Sequence, residues 1–128
     1  MENPQNALTF GPYSPIRQAG DLYFVSGQIG VDPVTKQSVQ GVREQVTQAL
    51  ENLKSVLASA GLTTNEVVKT TIFLANMDDF AVVNEVYESY FTEPRPARST
   101  VAVQELPRVA GITPIKVEIE AVVHKAGS

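Results

Sequence analysis

An apolar stripe of helical period runs along residues 42–60. Its members recur at three- and four-residue steps and are Val42, Val46, Ala49, Leu50, Leu53, Val56, Leu57 and Ala60. The spacing predicts one long amphipathic helix, which Gly61 ends as a C-cap. We expect the polar residues of the opposite face to point to water: Arg43, Gln45, Gln48, Glu51, Asn52 and Ser55. A helix of this kind is stable only on an apolar bed, so the remaining segments must supply one.

Strand-like segments supply that bed. Residues 22–28, 67–74, 99–103 and 115–123 are rich in β-branched and aromatic side chains, which predicts four strands. Residues 16–18 are expected to pair with the first of these strands across a short turn. The last strand alternates a more polar set with an apolar one, namely Ile115, Val117, Ile119, Ala121 and Val123. We expect this apolar set to lie under the helices.

A second helix is predicted from Asp78, as its N-cap, to Phe91, because Pro94 and Pro96 forbid its continuation. The order of elements is then hairpin, helix, strand, helix, strand, strand. This order predicts an α+β fold in which two helices pack on one face of a mixed sheet. With 128 residues the chain is expected to form one domain, residues 1–128.

The second face of the predicted sheet has no element to cover it. That face carries Glu120 and either Thr70 or Thr71 among apolar side chains. The simplest way to bury such a mixed surface is a symmetric oligomer. We therefore expect sites between subunits.

The composition narrows the chemistry. The chain has no cysteine and one histidine, His124, which excludes thiol nucleophiles, disulfides and cysteine-based metal sites and leaves no metal site expected. The formal net charge of −4 and the absence of a basic run disfavour nucleic acid and anionic lipid as partners. No glycine-rich phosphate loop suggests a nucleotide cofactor. No apolar run approaches the roughly 18 residues of a membrane span and the start lacks a signal-peptide pattern, so a cytoplasmic protein is expected.

Arg98 is the first candidate for chemistry. It follows Pro94 and Pro96, which restrict the backbone, and it stands at the entry of a predicted strand. A guanidinium fixed in this way can bind a carboxylate through two parallel hydrogen bonds. The alternative is an arginine in an internal salt bridge.

Glu120 is the second candidate, because its carboxyl interrupts a strand built for burial. It could orient a water molecule for attack and pass protons to a leaving amine. The alternative is a glutamate of an edge strand or an interface, paired with a lysine.

Three weaker signals follow from the turn around Tyr13, the pair Ser26 and Gly27, and Asn84. The turn projects an aromatic ring, and Gly27 allows a ligand to approach the backbone of a strand beside the Ser26 hydroxyl. The alternatives are a β-bulge at Ser26–Gly27, an ordinary surface turn, and a solvated Asn84.

Five segments, in this order, resemble the RidA (YjgF) family. They are Gly11-Pro12-Tyr13-Ser14-Pro15, Ser26-Gly27-Gln28-Ile29, Val83-Asn84 with Tyr87 and Phe91, Pro96-Ala97-Arg98-Ser99, and Val117-Glu118-Ile119-Glu120-Ala121. The resemblance covers nearly the whole chain. It implies a chorismate-mutase-like homotrimer with ligand clefts between subunits, and a cofactor-free deaminase that hydrolyses 2-iminopropanoate and 2-iminobutanoate to 2-oxo acids and ammonia.

The resemblance also implies roles for single residues. Arg98 would bind the substrate carboxylate, and Glu120 would activate water. The cleft would be shaped by the remaining candidates, which are Tyr13, Ser26, Gly27, Asn84 and the backbone N–H of Thr100. Two departures stand out: Thr100 replaces a cysteine common in relatives, and residues 108–115 form a longer stretch than usual that could alter the cleft rim.

Two other functions stay open. A carboxylate-binding cleft could serve a non-catalytic module that senses 2-oxo acids or amino acids. Some relatives are RNA-cleaving translation inhibitors, a reading that the acidic composition and the single histidine disfavour.

Overall fold

The fold consists of five strands, two α-helices and two 3₁₀ turns, seen in a computed structural model that describes residues 9–108 and 114–127. The strands are β1 (Ile16–Ala19), β2 (Leu22–Ile29), β3 (Val67–Leu74), β4 (Ala97–Ala102) and β5 (Val117–His124). The helices are α1 (Val42–Ser59) and α2 (Phe80–Tyr90), and the 3₁₀ turns Thr64–Glu66 and Met77–Asp79 precede β3 and α2. In the part of the chain so described, no helix is both long and apolar enough to cross a membrane.

The five strands form one mixed sheet in the order β1-β2-β5-β3-β4. All neighbours are antiparallel except β3 and β4, which run parallel. The parallel pair follows from the chain path, because α2 connects β3 to β4 as a crossover. Both helices contact each other, and the apolar stripe of α1 lies on the sheet. The predicted α+β architecture is confirmed.

The main core lies between the helices and one face of the sheet. It combines the stripe of α1, Val83 and Tyr87 of α2, and the inward side chains of the strands. In β5 the buried residues are Val117, Ile119, Ala121 and Val123, and they alternate with less buried ones. The alternation predicted for the last strand is therefore observed from Val117 onward, and Glu118 and Glu120 share the face that points away from the helices.

Ile115 departs from that prediction. The last strand begins only at Val117, and Ile115 packs in a second, smaller cluster with Ile29, Val31 and Leu106. Ile29 lies in register with Glu118, so this cluster belongs to the side of the sheet that the helices leave free. Leu106 and Ile115 thus cover part of the sheet face that was expected to be free.

Part of the polar face of α1 is buried and does not point to water. Gln45 is 1% exposed, its Oε1 accepts the Lys116 N–H at 2.8 Å, and its Nε2 donates to the carbonyls of Val39 and Pro114. Asn52, seven residues further along the same side, is also bonded to backbone, as described below. The expectation of water on this side was wrong for these residues, because their amides satisfy backbone groups that are not paired in the sheet.

The start of α2 also differs from its prediction. Asn76, and not the predicted Asp78, is the capping residue. Its Oδ1 accepts the backbone N–H of Asp78 at 2.9 Å. This bond begins the 3₁₀ turn, and α2 follows it from Phe80. The C-cap of α1 is Ala60, one residue before the predicted Gly61. Gly61 follows it directly at φ +73°, a conformation that glycine adopts without strain and that ends the helix.

Candidate functional site

A cavity of about 410 Å³ opens at the edge of the sheet beside the second half of β2. It exists because β1 is short: pairing ends where Ile16 meets Val25, and a β-bulge follows between Val25 and Gln28. We call it the edge cavity. Its walls include Tyr13, Ser26, Gly27, Asn52 and Glu118. A β-bulge was the alternative interpretation of Ser26–Gly27, and it is present. It forms one wall of this cavity.

Glu118 is the acidic residue of the edge cavity. Burial, followed by the charge of Glu120, raises the pKa of Glu118 above its ordinary value. Within residues 9–108 and 114–127, no hydrogen-bond or ion-pair partner is found for its carboxyl group. A carboxyl in this state holds a proton more readily than a solvated one, and it is free to exchange that proton with a ligand.

Gly27 allows Glu118 its position. A Cβ atom added to Gly27 would lie 2.1 Å from Oε2 of Glu118 and 2.6 Å from its Cδ. The glycine is thus required by close approach of a side chain and not by its own backbone conformation. A ligand was expected to approach the backbone here, and the structure shows the Glu118 carboxyl against it.

Tyr13 and Ser26 connect the turn before β1 to the edge cavity. The Ser26 hydroxyl donates to the Ser14 carbonyl at 2.6 Å, and the Tyr13 hydroxyl accepts the Phe10 N–H at 3.1 Å. Ser26 therefore uses its proton to hold the turn, and its oxygen can still accept a hydrogen bond. Tyr13 is 44% exposed, so its ring forms an outer wall of the cavity.

Arg98 lies elsewhere, on β4, in register with Thr70 and facing α2. Its Nη2 donates to Oδ1 of Asn84 at 2.7 Å. Its guanidinium carbon lies 4.9 Å from the ring centre of Tyr87 and 5.6 Å from that of Phe80. We call Phe80, Asn84, Tyr87 and Arg98 the Arg98 cluster. Asn84, which the sequence left as either functional or solvated, is part of it.

Arg98 has no carboxylate partner among the residues that the structure places. Other arginines do pair: Arg43 contacts Glu85, and Arg95 bonds Glu93 at 3.0 Å. The internal salt bridge that stood as the alternative for Arg98 is therefore not observed. Apart from the bond to Asn84, its N–H groups are not used by the described residues, so they can donate to an anionic ligand.

Thr100 stands two residues further along β4, in register with Ile72. Its hydroxyl is buried, and no acceptor or donor for it exists among the residues described. A buried hydroxyl without a partner costs free energy. A ligand or a second chain that supplied a partner here would remove that cost.

Glu120 and His124 lie outside both groups of residues. Glu120 is exposed and in register with Thr71 in the middle of the free face, and His124 ends β5 opposite Leu22. No three metal-ligating side chains come together in residues 9–108 or 114–127. The long stretch 108–115, expected to affect the cleft rim, lies mostly outside the described residues, since 109–113 are not among them.

Within one copy of the chain, the candidates form two separate groups. Tyr13, Ser26 and Gly27 line the edge cavity, whereas Arg98 belongs to β4, at the opposite edge of the sheet. Two strands lie between β2 and β4, so three strand spacings, about 14 Å, separate them. Glu118, which lines the edge cavity, was not among the residues predicted from the sequence, whereas Glu120 was. Glu118 is in register with Ile29 and its carboxyl lies against Gly27 in the cavity wall, whereas Glu120 is exposed.

Comparison with known proteins gives consistent results. The family model described as Endoribonuclease L-PSP matches residues 4–125. The chain is 47% identical over 113 residues to the 2-iminobutanoate/2-iminopropanoate deaminase of Mus musculus, covering 88% of this chain and 80% of the mouse protein. The crystal structure of RidA from an Antarctic Psychrobacter superposes with a TM-score of 0.88 at 35% identity and covers 97% of each chain.

Escherichia coli TdcF with bound serine is similar as well, with a TM-score of 0.86, 36% identity, and coverage of 98% of this chain and 97% of TdcF. The match to the family model extends over nearly the entire chain, and the mouse relative covers most of it at high identity. On these grounds, and with the fold agreeing, the chain belongs to the Endoribonuclease L-PSP family, also called the RidA or YjgF family.

Proposed function

We propose that this chain is an imine deaminase that hydrolyses 2-iminopropanoate and 2-iminobutanoate to 2-oxo acids and ammonia. The observation that carries the proposal is Arg98, a partly buried cation held by Asn84 and aromatic rings and left without a carboxylate of its own. A 2-imino acid supplies the missing carboxylate. The name of the mouse relative, 2-iminobutanoate/2-iminopropanoate deaminase, supports the same reaction.

The proposed reaction needs one attacking water and one group that moves protons. Arg98 binds the carboxylate and so fixes the distance of the imine carbon from the attacking water. A carboxylate takes a proton from water as the water oxygen adds to the C=N carbon, and it passes that proton to nitrogen, which gives a carbinolamine. It then takes the hydroxyl proton of the carbinolamine and passes it to the amine nitrogen, so that the C–N bond breaks, ammonia leaves and the carbonyl forms. Because the imine carbon is already electrophilic, positioning and proton transfer are sufficient.

We assign the proton transfer to Glu118, and keep Glu120 as the competing assignment from the sequence. Glu118 lines the edge cavity, is partly buried, and has a raised pKa, as a group that both accepts and donates protons requires. Glu120 is exposed on the free face and lies outside the cavity wall. Its charge nevertheless acts on Glu118, so its removal should change the pH dependence.

We further propose that the site is completed between two copies in a homotrimer. Arg98 lies on the edge strand β4 and on the face that α2 covers, whereas Glu118 lies on the central strand β5 and on the free face. Within one copy the two side chains therefore do not point into one cleft that could hold a four-carbon substrate. Contact between copies can bring the Arg98 cluster of one subunit to the edge cavity of the next. Tyr13, Ser26 and Gly27 would then shape the cleft on one side, and Asn84 and Thr100 on the other.

The first experiment generates 2-iminobutanoate in situ from threonine with a pyridoxal-phosphate-dependent dehydratase and follows the loss of the imine. We expect acceleration by the wild-type chain, loss of most of it in Arg98→Ala, and partial recovery in Arg98→Lys. The exposed Arg43→Ala is the matched control. No acceleration by the wild-type protein, or full activity of Arg98→Ala, would rule the proposal out.

The same assay separates the two glutamates. Glu118→Gln should lose at least about 100-fold in rate, as expected for removal of a general acid–base group. Glu120→Gln should stay active, with the acidic limb of its pH profile moved to lower pH because a negative charge near Glu118 is gone. The reverse pattern would return the role to Glu120.

A mixing experiment tests the site between copies. Arg98→Ala and Glu118→Gln chains are unfolded together at equal amounts and refolded. If each site takes one residue from each of two subunits, about one quarter of the sites regain both groups, and activity returns to that level. If both residues served one subunit, the mixture would stay inactive.

A binding module is the second candidate, favoured by the serine bound to TdcF. Such a module would bind the same carboxylates as the deaminase but would not hydrolyse an imine. Titration with 2-oxobutanoate and serine beside the hydrolysis assay decides between them. Tight binding without turnover by any preparation would favour the module.

A further inference from the structure

One side of α2 presents three different groups to Arg98. Phe80, Asn84 and Tyr87 follow each other at spacings of four and three residues, so they lie on one side of the helix. Two of them offer aromatic rings and the third offers an amide oxygen. The helix therefore surrounds a cation with neutral groups only.

Tyr87 is the most firmly held of the three. It is 5% exposed, and its hydroxyl lies 2.7 Å from Oγ1 of Thr70, which is completely buried. Its ring packs on Phe91 with 4.5 Å between the ring centres. Thr70 in turn is in register with Arg98 on the neighbouring strand. Both ends of the tyrosine are thus fixed relative to β4.

A neutral environment has a consequence for binding. A carboxylate beside Arg98 would hold it in place, but it would also occupy the N–H groups and cancel the charge that attracts an anion. An aromatic face attracts a cation through its quadrupole and uses no hydrogen-bond donor. A guanidinium fixed in this way stays both ordered and available.

We infer that Tyr87 is a positioning residue for Arg98: the Tyr87 ring, fixed by Thr70 and Phe91, holds the guanidinium ready for a substrate carboxylate. Phe80 has a smaller share, because its ring lies farther from the guanidinium carbon and is 38% exposed. The consequence for substrate binding rests on the proposed function, whereas the order of the Arg98 side chain does not.

The test compares Tyr87→Leu, which removes the aromatic face, with Tyr87→Phe, which keeps it and removes only the hydroxyl. Thr70→Val is the matched control, because it breaks the same hydrogen bond from the other partner and leaves the ring in place. The first readout is the NMR signal of the Arg98 side-chain N–H, assigned by its absence in Arg98→Lys. We expect a ring-current-shifted signal in the wild type, Tyr87→Phe and Thr70→Val, and a shift toward ordinary arginine values in Tyr87→Leu.

The second readout is affinity for the carboxylate. We expect Tyr87→Leu to raise the Kd for 2-oxobutanoate and the KM for the imine by about 3- to 30-fold, the range of a partly desolvated cation–π contact, with a smaller change in kcat. Thr70→Val should remain within about 2-fold of wild type, and Tyr87→Phe should lose less affinity than Tyr87→Leu, even where these variants unfold at lower urea concentration.

Two results would overturn the inference. One is an unchanged Arg98 signal in Tyr87→Leu. The other is equal loss of affinity in Tyr87→Leu and Thr70→Val, which would mean that general loosening of the core and not the ring is responsible. A shifted Arg98 signal together with a wild-type chain that neither binds 2-oxobutanoate nor hydrolyses imines would leave the positioning correct and the proposed function wrong.

Discussion

Alanine substitution should lower mainly the activity at Gly27, in β2, and mainly the stability at Gly30, directly after β2. Gly27→Ala brings a Cβ to within 2.1 Å of the Glu118 carboxyl oxygen, whereas Gly30→Ala brings one to within 2.7 Å of the Cα of Gln45. The first neighbour is the end of a flexible side chain, which can rotate away. The second is the backbone of α1, which cannot move without disturbing the core.

The magnitudes follow from that difference. Gly30→Ala overpacks a buried contact and should cost about 1–3 kcal/mol of the free energy of unfolding, equal to a fall in Tm of roughly 3–15 °C for a chain of this size. Gly27→Ala should leave stability within about 1 kcal/mol of wild type, because loss of unfolded-chain entropy offsets part of the rearrangement. It displaces Glu118 by more than an ångström, and this should lower imine hydrolysis by about 100-fold.

The assay is urea or thermal unfolding of both variants at one protein concentration, beside the hydrolysis rate of the folded fraction. A stable, inactive Gly27→Ala and a less stable Gly30→Ala that keeps activity per folded molecule is the expected pattern. Full activity in Gly27→Ala would refute the idea that this glycine is kept for the Glu118 carboxyl group. An equal loss of stability in both would refute the distinction between side-chain and backbone neighbours.

Three further predictions concern charge and hydrogen bonding. Burial and Glu120 raise the pKa of Glu118, so the folded state loses stability relative to the unfolded state as pH rises through that pKa. Glu118→Gln should therefore raise the Tm at pH 7. The gain should vanish in acid, where Glu118 is protonated in both states. Asn52→Asp points a carboxylate at two backbone carbonyls and should cost about 1–3 kcal/mol in urea unfolding, whereas a cost near zero would show that these bonds are dispensable. Burial and the hydrogen bond with Glu51 raise the pKa of Tyr90 to about 12. In Glu51→Gln, ultraviolet titration should show this tyrosine ionising closer to its ordinary pKa of 10.0. An unchanged pKa would mean that Glu51 contributes nothing to the shift.

Much of the fold could be predicted from the sequence because its signals are periodic and long. The stripe of α1 repeats over five turns, and β3 is bounded as predicted at Val67 and Leu74. Errors occurred where one side chain decided the outcome. Gln45 belongs by type to the surface, yet it is buried and forms hydrogen bonds with three backbone groups, two of which, at Pro114 and Lys116, lie far away in sequence.

The candidate site was less predictable for a related reason. Arg98 and its neutral surroundings depend on the packing of α2 against β4, and only the residue type was visible in the sequence. Glu118 and Glu120 are identical in type, two residues apart, and on one face of β5. They differ in their neighbours on β2, because the Glu118 side chain lies against Gly27 at the β-bulge between Val25 and Gln28 and lines the cavity, whereas Glu120 does not line it. No local pattern in β5 reports a bulge in its neighbour.

The amide side chains of α1 have a consequence for motion. Asn52 donates to the carbonyls of Ile29 and Val31 at 3.0 and 2.9 Å, and Gln45 bonds the backbone at Lys116, two residues before Glu118. Segments around a cavity commonly open at low free-energy cost. Here, such opening would have to break bonds to a helix of the main core. Amide hydrogens around the cavity should therefore exchange with solvent almost as slowly as those of α1, so that the wall of a small-molecule site shares the cooperative unfolding unit of the whole protein.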